Sequence, residues 1–129
     1  MSETFKCVTI SIGGPLPPAD PSLTITRIYV RKNKIEVTSL NPNDNLDAYD
    51  FITTFTLINA PIPKLRKEFW INGKLVHSYE DSNVSTGNLS WLVQGSSLRN
   101  QYNWITVGDM LRALGVTGTT LQICTKFIY

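Results

Sequence analysis

The sequence predicts a mainly β (α+β) domain, an antiparallel sheet system forming a small sandwich or barrel, with one short helix at about 106–115. Three observations carry that expectation. Short runs of Val, Ile, Thr and aromatic residues recur along the chain, separated by clusters of Gly, Pro, Asn and Asp. Asn72-Gly73 lies between two such runs, and Asn-Gly accepts positive φ at both central positions of a type I′ turn. Helical spacing stands out in one stretch, where Val107, Met110, Leu111 and Leu114 form an apolar stripe.

The elements follow in order. Residues 5–12 alternate as a strand, with Val8, Ile10 and Ile12 on one face, and Gly13-Gly14 ends it. The segment from Pro15 to Pro21 lacks the backbone donors a sheet needs, so it reads as an extended surface connector. Its P-x-x-P spacings lack the flanking basic residue of an SH3-type ligand. Residues 23–30 and 35–40 read as two strands joined through Arg31-Lys32-Asn33-Lys34. Residues 41–45 are loop, and Phe51 to Ile58 is a strand stopped by Ala60-Pro61-Ile62-Pro63.

Two-residue closure of the Asn72-Gly73 hairpin sets Trp70 across from Leu75, Phe69 across from Val76 and Glu68 across from His77. Residues 81–88 read as a loop, Leu89 to Val93 as a short strand and Gly95 to Asn100 as a turn-rich link. The helix starts at Thr106, a good N-cap, with Asp109 placed for a capping box and Gly115 where a C′ glycine belongs. A last strand runs from Leu121 to Tyr129. No repeat, charge run or composition shift marks a boundary, so residues 1–129 are expected to form a single domain.

Composition narrows the function classes. A net charge of +2 is too small for a protein that grips nucleic acid over its whole surface. Nothing approaches the apolar length of a membrane-spanning helix. Met1-Ser2-Glu3-Thr4 runs into a strand-like stretch without a basic, apolar export pattern, so export by a signal peptide is not expected. A reducing, cytoplasmic or virion-associated setting follows, with Cys7 and Cys124 expected as separate thiols. The two N-x-S sequons at Asn83 and Asn88 then read as ordinary loop residues.

No chemistry-bearing constellation emerges. His77 is the only histidine, and Ser78 beside it points to the other face of the strand. One His and two distant Cys do not make a zinc site. Asp44, Asp47 and Asp50 recur in a turn-rich segment but lack the glycine and terminal glutamate of an EF-hand loop, so they read as a solvated acidic loop. No phosphate-cradling glycine loop is present. The expectation is a protein with no catalytic residues, metal or cofactor.

Surface chemistry remains. Arg27, Arg31, Lys32 and Lys34 cluster around the first hairpin with Tyr29 among them. Lys64, Arg66 and Lys67 precede the aromatic hairpin, and Lys74 lies at its tip. Cations interleaved with Tyr29, Phe69 and Trp70 suit RNA or an anionic membrane surface. The competing reading makes them guards of exposed strand edges. Tyr29, Trp70, Trp91 and Trp104 are the candidate interface aromatics, with core packing the competing role for the tryptophans.

The expected function is therefore a non-enzymatic structural protein that associates with itself as a homo-oligomer, in the manner of a virus matrix, capsid-associated or phage tail component. Its basic face would meet nucleic acid or membrane. The alternative is a small intracellular carbohydrate- or ligand-binding β module using its tryptophans.

Overall fold

The computed structural model describes residues 21–129, so the strand expected at 5–12 and the proline connector up to Asp20 lie outside the described residues. Two antiparallel sheets face each other. The first holds β1 (Ser22–Lys32), β2 (Ile35–Val37), β3 (Tyr49–Ile58) and β6 (Gly87–Gln94) in the order β2-β1-β3-β6. The second holds β4 (Ile62–Ile71), β5 (Lys74–Val84) and β7 (Ile123–Ile128) in the order β5-β4-β7. The architecture is sandwich-like, and the described residues form no closed barrel.

Alternation builds the core. Phe51, Thr53, Phe55 and Leu57 of β3 are buried, and Leu65, Lys67, Phe69 and Ile71 of β4 are buried opposite them. The sheets meet through Phe51 and Phe69, whose rings lie 5.1 Å apart, and through Phe55 and Phe127, at 4.8 Å. Such tilted aromatic pairs add to the area they bury.

The β1–β2 link tightens to a two-residue turn, because Lys32 pairs with Ile35 while Asn33 and Lys34 both take positive φ. β2 starts at Ile35 as expected but ends at Val37, shorter than the expected 35–40 strand. The Asn72-Gly73 hairpin forms as expected at its tip, with Ile71 opposite Lys74 and Trp70 opposite Leu75. A bulge at Phe69/Trp70 then shifts the register by one residue, bringing Phe69 opposite His77 and Glu68 opposite Ser78. His77 accordingly faces inward rather than pairing with Glu68.

Two further corrections concern the middle of the chain. β5 runs on to Val84, so the expected 81–88 loop shrinks to Ser85 and Thr86 before β6 begins. The expected link at Gly95–Asn100 is a helix, α1 (Gly95–Tyr102), giving two short α-helices among the described residues where one was expected. Leu98, fully buried, anchors it.

α2 (Val107–Ala113) lies within the expected range and carries the full capping box, Thr106 accepting from the Asp109 N–H while Asp109 accepts from the Thr106 N–H. Gly115, at φ +70°, ends it. The helices, a 3-10 turn at Leu46–Ala48 and the loop from Asn41 close one end of the sandwich. There Leu46 N–H bonds the Ile105 carbonyl, and the Gly108 N–H bonds the Pro42 carbonyl.

The two-thiol expectation fails at Cys124, which is disulfide-bonded; Cys7 is the only other cysteine in the sequence.

Candidate functional site

The cations expected to form a basic surface are largely engaged within the chain. On the outer face of the first sheet, Arg27 pairs with Glu36 and stacks over the Tyr29 ring at 4.5 Å, while Arg31 reaches Asp50 at 3.4 Å. Lys32 pairs with Asp44 at 2.7 Å. On the second sheet Arg66 holds Glu68 at 2.8 Å and Lys67 holds Asp81 at 2.6 Å. Lys74 reaches across to the Leu114 carbonyl, satisfying the end of α2. Lys34 and Lys64 have no carboxylate partner among the described residues, and they belong to different sheets.

The aspartates behave in the same way. Asp44 meets Lys32 and accepts from the Tyr49 hydroxyl at 2.6 Å, Asp47 meets Arg99, and Asp50 meets Arg31. The supposed acidic loop is thus three separate ion pairs whose cations come from distant parts of the chain. The ammonium of Lys32, followed by the Tyr49 hydroxyl, holds the Asp44 carboxyl below the usual range. Burial, then the bond to Asp44, pushes the Tyr49 phenol up. No group of three or more His, Cys, Asp or Glu able to hold a metal ion occurs among the described residues.

The four aromatics divide between core and surface. Trp91 is buried, packed near Phe127 and stacked with the His77 ring, whose Nδ1 lies 3.0 Å from the Gln101 Oε1. Trp104 stacks on Tyr102 at 4.1 Å and packs against the core. Trp70, half-buried on the outer face of the second sheet, donates its Nε1–H to Glu68 at 3.2 Å. Tyr29 is half-buried on the outer face of the first sheet, in line with Ile52 and Leu92 across the three strands β1, β3 and β6.

Lys67 is the least expected of these residues. It occupies a core-facing position of β4, its side chain 8% exposed, with Nζ 5.2 Å from the centroids of both Tyr79 and Trp91. Aromatic faces attract a cation, and Asp81 supplies the counter-charge. The Leu65-Lys67-Phe69-Ile71 alternation carried the signal for this placement, since period two puts all four on one face.

A scan against protein-family models and searches of curated proteins and solved structures found no match. Function must be read from the surface itself.

Two features of that surface remain without an internal explanation. One is a groove of about 480 Å³ near Thr38, Leu40, Leu111 and Leu121, continuous through Thr38–Leu40 and Leu121 with a second of about 360 Å³ that reaches Tyr29. The other is a set of large apolar side chains left in water, among them Ile35, Leu92 and Ile105, each between 41% and 70% exposed.

Proposed function

We propose that this chain is a non-enzymatic assembly protein whose task is to associate with copies of itself. The observation that carries the reading is the apolar row Tyr29–Ile52–Leu92 on the outer face of the first sheet. Outer faces of solvated antiparallel sheets are ordinarily polar. Here Ile52, between its cross-strand neighbours Tyr29 and Leu92, is only 5% exposed, and Leu92, 41% exposed, carries the apolar row to the last strand of the sheet among the described residues. Around the row the charges are already paired, so burying this face against another protein leaves Arg27, Glu36, Arg31 and Asp50 with partners. Matrix, capsid-associated and tail components work by association of this kind.

Sedimentation velocity and light scattering across a concentration series test the reading. Self-association should appear by tens of micromolar. A strict monomer up to about millimolar concentration, where even a weak complex forms, would remove it.

A second reading has one observation in its favour. The groove near Thr38–Leu40 mixes leucines with threonine and serine hydroxyls, the lining of a small-ligand site. Fragment screening by NMR decides it: the absence of shifts at Leu40, Leu111 and Leu121 would exclude a ligand there.

A further inference from the structure

We infer that copies of this chain join through β6, strand edge to strand edge and antiparallel about a two-fold axis, extending the first sheet across both molecules. The inference rests on the self-association proposed above and names its contact. β6 ends the order β2-β1-β3-β6, and among the described residues no ladder lies on its outer side. Its eight residues, Gly-Asn-Leu-Ser-Trp-Leu-Val-Gln, include no charge and no proline. It pairs with β3 from Asp50/Gln94 to Leu57/Gly87 without a register shift, so no bulge twists it away from an incoming strand.

The other edges show what protection looks like in this fold. β2 is three residues long and flanked by Lys34 with Glu36 inside it. β5 carries the bulge, Glu80 and Asp81, and its Val76 carbonyl accepts from the Tyr102 hydroxyl of α1. β7 holds the disulfide-bonded Cys124, and Gln122 and Lys126 beside it also have partners. Short length, bulges, charges and covering groups are the ordinary defences of a sheet edge against pairing with another chain. Among the described residues β6 has none of them.

The occupant that suits this edge is a second copy. An antiparallel strand edge is complementary to itself under a two-fold axis, because each outward N–H meets the carbonyl of its mate. An uncharged strand meets its own copy without repulsion, whereas β5 would set Glu80 and Asp81 against their like. With the two-fold axis at Trp91, the exposed Leu92 of each molecule lies opposite Ser90 of the other, so the two Tyr29–Ile52–Leu92 rows meet with a stagger of two residues.

The test is the double variant S90K/L92K, which places lysines facing lysines across the joint while keeping both side chains on the solvent face. Dimer dissociation constants are compared by sedimentation with those of S78K/S82K, two exposed serines on β5 that give the same added charge. The expected result is at least a tenfold rise for S90K/L92K and less than a twofold change for S78K/S82K. Amide exchange on the unaltered protein gives a second readout that needs no variant: β6 amides should exchange more slowly as concentration rises. An oligomer with undiminished affinity in S90K/L92K and concentration-independent β6 exchange overturns the β6 joint while leaving self-association standing. A monomer at every concentration overturns both. Should S90K/L92K fail to fold, the exchange of the unaltered protein decides alone.

Discussion

Thr53 on β3 and Thr125 on β7 share a hydrogen bond of 2.6 Å between hydroxyl oxygens, both residues buried in the space between the two sheets. It is a polar link between the two sheets, each hydroxyl serving as the other's side-chain partner. Replacing one by valine keeps the shape and strands the other. T53V or T125V should therefore cost about 1–3 kcal/mol in urea unfolding, whereas T53V/T125V should recover most of the loss. Additive single costs in the double variant would show that the two hydroxyls are not coupled.

Lys67 supports a second prediction. Its ammonium rests between two rings and against Asp81, and its stem fills a core position. Methionine retains the stem and removes the charge; alanine removes both. Lys67→Ala should destabilise by about 2–4 kcal/mol through the space it leaves beside Trp91. Lys67→Met should cost less than half as much, because packing rather than charge holds this site and the half-exposed Asp81 can turn to water. Equal losses in both would assign the stability to the ion pair instead. Trp91 emission reports the local change in each.

How much of this was legible beforehand depends on how local each cause is. The Asn72-Gly73 turn and the Thr106–Asp109 box are set by neighbours in sequence, and both formed where the residues placed them. α1 was not legible because Gly95, Ser96 and Ser97 are weak helix formers; burial of Leu98 makes the helix, and that depends on the rest of the fold. The bulge that turns His77 inward has no local signature in Phe69-Trp70. The ion pairs of Asp44, Asp47 and Asp50 were invisible because Lys32, Arg99 and Arg31 arrive from other elements. For the surface, the cations were easy to find and their engagement was not. β6 was recognisable as a strand, but only the sheet order showed that it comes last in its sheet among the described residues.

Acid pH acts on two of these carboxyls. The backbone N–H of Thr106, foremost, holds Asp109 below its ordinary 3.8, as Lys32 does for Asp44. Folded carboxyls of lowered pKa bind protons less readily than the same groups in the unfolded chain, so their contribution is complete above the unfolded value and lost as pH falls through the folded one. The urea midpoint should hold steady above about pH 5 and decline below about pH 4. D109N should flatten that decline and lower the plateau, since the amide oxygen can still accept from Thr106 but the charge at the helix N-terminus and the pair with Arg112 are lost. An unchanged slope would mean that Asp109 titrates alike in both states.

The disulfide is open to direct chemistry. Cys124 is bonded and the sequence has only Cys7 besides, so denatured, unreduced protein should show no free thiol and reduced protein two. Reduction of the native protein should lower stability by about 2–4 kcal/mol. Two reactive thiols before any reductant is added would return both cysteines to the roles first expected of them.

Gly95 gives the strongest prediction for a single atom. It is the first residue of α1, directly after β6, and the backbone of Leu46 lies against it: a Cβ there would stand 1.9 Å from the Leu46 carbonyl oxygen and 2.8 Å from that of Tyr49. Both obstacles are main chain, so no side chain can swing aside. Gly95→Ala must push α1 from the 3-10 turn at Leu46–Ala48 or shift β6 against β3. Either movement disturbs Leu46, Tyr49 and Leu98, each no more than 1% exposed. The expected cost is about 3 kcal/mol or more, at the upper end of overpacking, despite alanine's better helix propensity. Gly118→Ala is the control, because its nearest atom is a backbone nitrogen at 4.0 Å and its φ is unremarkable. If both substitutions left the urea midpoint unchanged, the close approach of α1 to the Leu46 carbonyl would be wrong, and with it the way this end of the sandwich is closed.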